Sequence, residues 1–316
     1  MTNIVFMGSP QFAVPTLATL AGEHTILAVF TQPDKPAGRG KVLTAVPVKR
    51  WAAAHGLPLY QPQSLRKDPS ALETLRDLRP EAIVVAAYGL ILPQAILDIP
   101  AHGCLNVHAS LLPRHRGAAP IAAAILAGDA ETGITIIRMQ AELDTGPILT
   151  MAREPIRADD TTQSLSERLA DLGACVMADT LPKYLRGEIV PQPQPEEGAS
   201  YSPKIDKARA QIDWRQPAIQ IERMVRAYTP WPGAFTFWNG TPLKILRAEA
   251  NERISESANR PGQVVRMEHG SIGVITGSGV MVLKEIQLAG RKALKVEEFV
   301  HGQPALIGSR FAAHDP

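Results

Sequence analysis

The chain has 316 residues, of which 45% are hydrophobic, 20% charged and 5% aromatic, and its formal net charge is +2. That length predicts two domains with apolar material for a substantial core, which excludes collagenous and disordered chains. Two cysteines, Cys104 and Cys175, are too few for a disulfide framework or an unaided zinc site.

Asn3–Met7 reads as a strand, Gly8-Ser9-Pro10 as a turn, Gln11–Leu20 as a helix and Thr25–Thr31 as a second strand. Asp34–Lys49 carries Pro36, Pro47 and a Gly-Arg-Gly centre, which predicts an irregular basic loop. Lys49–His55 and Pro69–Leu78 look helical, while Ala82–Ala87 (AIVVAA) is a strand buried on both faces. The longest apolar stretch, Ala82–Leu97, is broken by Tyr88, Gly89, Pro93 and Gln94 and falls short of the ~20 residues of a membrane span. Leu105–Ala109 and Ile134–Met139 add strands, and Thr161–Leu185 a long helix. Strands alternating with helices predict a doubly wound, mostly parallel α/β sheet.

Residues 191–203 contain four prolines, which favours an extended connector. Past it, Ile221, Met224, Val225 and Tyr228 recur at helical spacing. Short strands then follow with tight turns between them, Asn239-Gly240 being a strong hairpin signal. About five short strands in ~100 residues predict a small OB-type β-barrel, a fold suited to nucleic acid. The division expected is residues 1–189, a connector at 190–206, and 207–316. Residues 1–206 carry 18 basic and 21 acidic side chains, a net −3, against 15 and 10, a net +5, for 207–316. A basic second half and a basic loop suggest a polyanionic partner. No secretory signal is visible at the N-terminus, so a soluble cytoplasmic protein is expected, without a membrane partner.

Several chemistries fail on spacing. Gly8 lacks the later glycines of a dinucleotide fingerprint, and Gly38-Arg39-Gly40-Lys41 is followed by Val42, not by Ser or Thr. Asp144-Thr145-Gly146 has no second copy with which to share a proton. The informative stretch is GCLNVHASLLPRHRGAAP, residues 103–120. On a strand, Leu105, Val107 and Ala109 point one way and Asn106, His108 and Ser110 the other. Three polar groups on one face of an apolar strand cost several kcal/mol if unsatisfied, at roughly 1–3 each. They are placed in a cleft at the strand's carboxyl end; a satisfied core network is the competing reading. An amide donor and an imidazole are the tools needed where an oxyanion forms.

Asn106-x-His108-x-Ser110-Leu111-Leu112-Pro113, followed by Arg116-Gly117, resembles the signature of 10-formyltetrahydrofolate-dependent formyltransferases, and Leu143-Asp144-Thr145-Gly146 resembles their Asp-containing loop. FMGSPQFAVPTL, FTQPDKPAGRGK, SLLPRHRGAAPI and IDWRQPAIQIERMVRAYTPWPGAFT are similar to the branch that acts on methionyl-tRNA. His115 stands where an aromatic residue is usual in that family, and Glu142 where a small or flexible one is common. The resemblance implies a catalytic trio of Asn106, His108 and Asp144, with protonated His108 and Asn106 as oxyanion donors and Asp144 raising the His108 pKa. It implies a formyl-folate slot lined by Tyr88, Leu90 and Ile91, with Ser110, Leu111, Leu112 and Pro113 contacting the co-substrate. It also implies a loop that meets methionyl-initiator tRNA through Lys35, Arg39 and Lys41, and a tRNA-binding second domain. Arg114 and Arg116 suit either the folate carboxylate tail or the RNA backbone. No metal is expected, and nothing requires more than a monomer. The rival readings are a formyltransferase for a sugar-nucleotide amine, a 10-formyltetrahydrofolate hydrolase, and an RNA-binding module with an inert first domain.

Overall fold

The computed structural model describes residues 1–37, 42–251 and 260–311; Arg39 and Lys41 lie outside the described residues. Along the chain come β1 (Asn3–Gly8), α1 (Val14–Glu23), β2 (Thr25–Phe30), β3 (Lys35–Ala37), β4 (Val42–Thr44), α2 (Pro47–Ala54) and β5 (Leu59–Tyr60). Next are α3 (Pro69–Leu78), β6 (Ala82–Ala86), α4 (Gln94–Leu97), β7 (Cys104–His108), β8 (Arg116–Gly117), α5 (Pro120–Ala127), β9 (Glu131–Arg138), β10 (Ile148–Pro155), α6 (Thr162–Leu185) and β11 (Tyr201–Ser202). The chain separates into two compact units: Met1–Pro120, Glu131–Pro155 and Leu165–Pro203 form the first, and Ile121–Ala130, Ile156–Ser164 and Lys204–Pro316 the second.

In the first unit a seven-stranded sheet has the order β10-β9-β7-β6-β1-β2-β5. Pairings among β5, β2, β1, β6 and β7 are parallel, whereas β9 and β10 run antiparallel at one edge. Every residue of β6 is buried, which explains its unbroken apolar sequence. The α3 boundaries follow from local chemistry. Asp68 accepts a hydrogen bond from the Ser70 amide at 3.1 Å, Pro69 occupies the first turn, and Ala71 and Leu75 face the core. From β1 the chain steps outward to β2 and β5, then returns across the sheet to β6 and β7. The crevice between β1 and β6 is therefore a topological switch point, where α/β sheets bind ligands.

One expectation is corrected here. The basic segment is not wholly irregular: Lys35–Ala37 pairs antiparallel with Val42–Thr44. Among the described residues the ribbon has two strands, so Pro36 removes no donor that a third strand needs.

The second unit continues with α7 (Ala218–Ala227), β12 (Phe235–Trp238), β13 (Thr241–Asn251), β14 (Val264–Arg266), β15 (Ile272–Ile275), β16 (Val280–Leu288), β17 (Leu294–Lys295) and α8 (Val296–Gly302). Its strands form an antiparallel sheet ordered β12-β13-β16-β15-β14, with β17 added to β16. Register breaks in β13 after Ile245 and Arg247 curl it into a half-barrel that fits the OB-type expectation. Trp214, Ile221, Val225, Trp238, Leu243 and Phe299 share its core. The indole nitrogens are satisfied there, Trp214 by Thr236 at 3.0 Å and Trp238 by Ser309 at 3.1 Å.

Candidate active site

The alternation of β7 sends Asn106 and His108 to the same face, and the loop between β9 and β10 brings Asp144 to them. Asn106 Nδ2 donates to Asp144 Oδ1 at 3.3 Å, and the Gly117 amide donates to Oδ2 at 2.8 Å. His108 Nδ1 lies 3.6 Å from the same Oδ2, while its Nε2 lies 3.0 Å from the His115 carbonyl oxygen. Asp144 itself is buried and sits at a φ of +54°. A left-handed aspartate is uncommon, and such backbone persists where surrounding bonds over-determine it.

Burial drives the His108 pKa below its ordinary 6.5, and the Asp144 charge and the His115 carbonyl, which favour the proton, only partly offset it. The expectation of a protonated His108 is therefore corrected: desolvation outweighs the carboxylate, and the ring favours its neutral form at pH 7. Asp144 does act in the anticipated direction, but as the smaller effect.

Two arrangements hold the Asp144 loop. Gln194 Nε2 donates to the carbonyls of Asp144 and Gly146, each at 2.8 Å. Its Oε1 accepts from Arg116 Nε at 3.0 Å and Nη2 at 2.8 Å. Arg116 is only 5% exposed, and its guanidinium also lies 5.9 Å from the centre of the Tyr201 ring. Beneath the loop, Gly146 meets the backbone of Arg138 so closely that an added Cβ would strike that carbonyl. Gly146→Ala is expected to push the loop away and lower both turnover and melting temperature, which a thermal melt beside a rate assay checks. Wild-type turnover in that variant would contradict the close approach.

The folate-assigned residues are placed as follows. Ser110 is fully buried, and its Oγ donates to the Arg114 carbonyl at 2.6 Å. Thr135 of β9 pins the same turn, its Oγ1 donating to the Ser110 carbonyl at 2.6 Å and accepting from the Leu112 amide at 3.1 Å. Leu111 and Pro113 are half-buried and Leu112 is buried. The Tyr88 side chain packs in the core below the sheet, so at this position the backbone, not the ring, is what a ligand can meet. Leu90 packs partly against that core, whereas Ile91 is 71% exposed.

A network that sequence reasoning missed fills the switch-point end of the sheet. Gln32 Nε2 donates to the Tyr88 carbonyl at 2.8 Å, and the Gln32 amide donates to Ser9 Oγ at 2.9 Å. Gln61 Nε2 and Lys49 Nζ grip Asp34 at 3.1 and 2.7 Å, fixing the root of the basic ribbon. Lys35 is exposed and donates to Gln32 Oε1 at 2.6 Å. Arg114 and Glu142 are exposed. The buried His115 donates its amide to Ser200 Oγ at 2.9 Å.

The Pro-rich connector supplied the other missed groups: Gln194, which lies 50 residues from Asp144 and 78 from Arg116, and Ser200 and Ser202, which lie 85 and 86 residues from His115 and Arg116. Their only sequence signal is polar side chains in an extended segment.

Comparison with known proteins identifies the family of the chain. The formyl transferase family profile matches residues 2–181, and the formyl transferase C-terminal domain profile matches 204–304. The methionyl-tRNA formyltransferase of Thiobacillus denitrificans is 50% identical over 98% of this chain and 100% of its own. That of Chromobacterium violaceum is 49% identical over 98% and 99%. Among solved structures, the N-formyltransferase of Helicobacter canadensis, in complex with folinic acid and dTDP-3-aminofucose, shares the fold. Its TM-score is 0.67 at 17% identity, covering 90% of this chain and 98% of its own. With both family domains in order and close relatives matched end to end, the chain belongs to the methionyl-tRNA formyltransferase family.

Proposed function

We propose that this protein transfers the formyl group of 10-formyltetrahydrofolate to the free amino group of methionyl-initiator tRNA, for translation initiation. The observation that carries the reading is the meeting of Asn106, His108 and Asp144 at the carboxyl end of β7. It stands in a chain with relatives of that name at 46–50% identity.

In the reaction the neutral methionyl amine attacks the formyl carbon, and an N–C bond forms as the carbonyl oxygen becomes an oxyanion. The bond from that carbon to folate N10 then breaks. One proton leaves the amine and one arrives on N10, so formylated aminoacyl-tRNA and tetrahydrofolate are the products. Asn106 Nδ2 spends one hydrogen on Asp144 and keeps the second for the oxyanion. Neutral His108 has a single N–H, aligned on the His115 carbonyl at 3.0 Å, and the oxyanion competes for it. A neutral imidazole suffices as such a donor. Asp144 orients Asn106, and its charge beside the unprotonated Nδ1 of His108 favours a proton there as the amine loses one.

The co-substrate slot is assigned to Leu90, Ile91, the backbone at Tyr88 and residues Ser110, Leu111, Leu112 and Pro113; the exposed Ile91 supports it as a cover for a flat ring. Lys35, Arg39 and Lys41 are assigned to tRNA. Replacing all three by Ala is expected to weaken tRNA binding and flatten its salt dependence by roughly one unit of slope per lost phosphate contact; an unchanged slope removes the ribbon from the interface. We assign residues 1–189 to catalysis, 190–206 to the connector and 207–316 to tRNA binding, in a monomeric cytoplasmic enzyme without a metal of its own. Among the described residues no helix is long and apolar enough to cross a membrane.

The test is one assay with 10-formyltetrahydrofolate and methionine-charged initiator or elongator tRNA. Formylation confined to the initiator is the expected result. Folate turnover regardless of tRNA overturns it in favour of a hydrolase.

A further inference from the structure

We propose that Gln194 is a positioning residue for formyl transfer, holding the Asp144 loop in its working geometry with Arg116 behind it. The proposal rests on the function assigned above.

The first support is backbone accounting. Segment 192–202 is bonded to the site on both sides of Gln194. Gln192 and Ile148 exchange amide and carbonyl bonds at 2.7 and 2.8 Å, the Arg116 amide donates to the Ser200 carbonyl at 2.8 Å, and the Ala118 amide donates to the Ser202 carbonyl at 2.8 Å. Ser202 Oγ donates to the Arg116 carbonyl at 3.0 Å. Gln194 is thus delivered by a fixed piece of chain, so its contacts cost little ordering entropy beyond what those bonds already impose.

The second support is valence. Both hydrogens of the Gln194 amide go to loop carbonyls and its oxygen takes two Arg116 hydrogens. Only a carboxamide meets that demand: a carboxylate has no hydrogen for the carbonyls, and a cation would face Arg116. Among the described residues no carboxylate pairs with Arg116. A buried cation with no counter-charge is costly unless its hydrogens are satisfied, so Arg116 and Gln194 require each other. The guanidinium also polarises the amide and strengthens its grip on the two carbonyls. One of them belongs to Asp144 itself, whose left-handed backbone needs an external restraint. The line of force runs from Arg116 through Gln194 to the carboxylate that faces Asn106 and His108.

Two variants test it in the full chain. Q194E keeps an acceptor for Arg116 but has no hydrogen for the loop. R116M/Q194M replaces the pair with apolar side chains and leaves no buried charge behind. In each, kcat for formyl transfer is expected to fall roughly 10- to 100-fold, the scale of a sub-ångström to one-ångström misplacement, with KM for both substrates little changed. The Gly117 amide, bonded to Asp144 Oδ2, should exchange its hydrogen faster while the amides of β6 keep their protection. A purely structural role would instead raise exchange throughout. Wild-type kcat in either folded variant overturns the proposal, and so does a loss of activity that only tracks loss of folded protein in both. If the wild type transfers no formyl group, the functional reading fails. Gly117 exchange then decides separately whether Gln194 holds the loop, and unchanged exchange overturns that too.

Discussion

Asp144→Asn is expected to lower kcat roughly 10³- to 10⁴-fold, the scale on which neutralising a carboxylate that orients a histidine acts elsewhere, with KM little changed. The substitution keeps the size of the side chain but removes its charge and one acceptor. Asp144 accepts from Asn106 on one oxygen and from the Gly117 amide on the other. An amide nitrogen in place of either oxygen sets donor against donor. The His108 ring loses the one charge that raises its proton affinity, so its already lowered pKa moves further down. Followed by NMR, the ring of the variant should stay neutral to lower pH than that of the wild type. Because the folded pKa of His108 lies below 6.5, its contribution to folding stability is intact above pH 6.5 and is lost as the pH falls toward the folded value. Asp144→Asn enlarges that acid-side loss. Unchanged single-turnover formylation would remove Asp144 from the chemistry.

Asn106→Ala is expected to reduce kcat by about 10²- to 10³-fold, the cost of removing one aligned oxyanion donor. The effect arises because Asn106 is only half-buried and its second amide hydrogen is uncommitted in the structure. Substrate binding, assigned above to the 110–113 turn and the Ile91 region, should be nearly preserved. Since Asn106 and Asp144 share a hydrogen bond at 3.3 Å, the double variant should lose far less than the product of the single losses. Steady-state kinetics on the three variants checks both points. Multiplicative losses would mean that the two side chains act independently.

The sheet was readable because its signals are local. Asp68 and Pro69 mark the start of α3, the apolar run at 82–87 is typical of a doubly buried strand, and Asn239-Gly240 joins β12 to β13. Alternation placed Asn106 and His108 on one face without further help. Asp144 entered through resemblance, because a lone Asp-Thr-Gly states nothing by itself. What escaped was every feature depending on a partner distant in sequence. The prolines of 191–203 correctly indicate extended chain, yet extended chain has free amides and carbonyls that bond wherever they run beside another backbone. Here they bond to Ile148, Arg116 and Ala118. His108 illustrates the same limit in energy: the carboxylate beside it was legible, the burial that outweighs it was not. Past Leu288 no periodicity announced β17 or α8, which are held by tertiary packing.

The pairing of β11 with β8 joins residues about 85 positions apart, and this bears on how the enzyme comes into being. All seven strands of the large sheet have been synthesised once Pro155 is in place, so a nascent chain can build the scaffold early. The loop carrying Asp144 gains its bonds from Gln194, and the turn carrying His115 its bond to Ser200, only after those residues have been made. At translation rates of roughly 5–20 residues per second, seconds separate those events. During that interval the scaffold exists without its reactive centre, and competence arrives with a short stretch of chain that meets the sheet by a single bridge, Gln192 to Ile148.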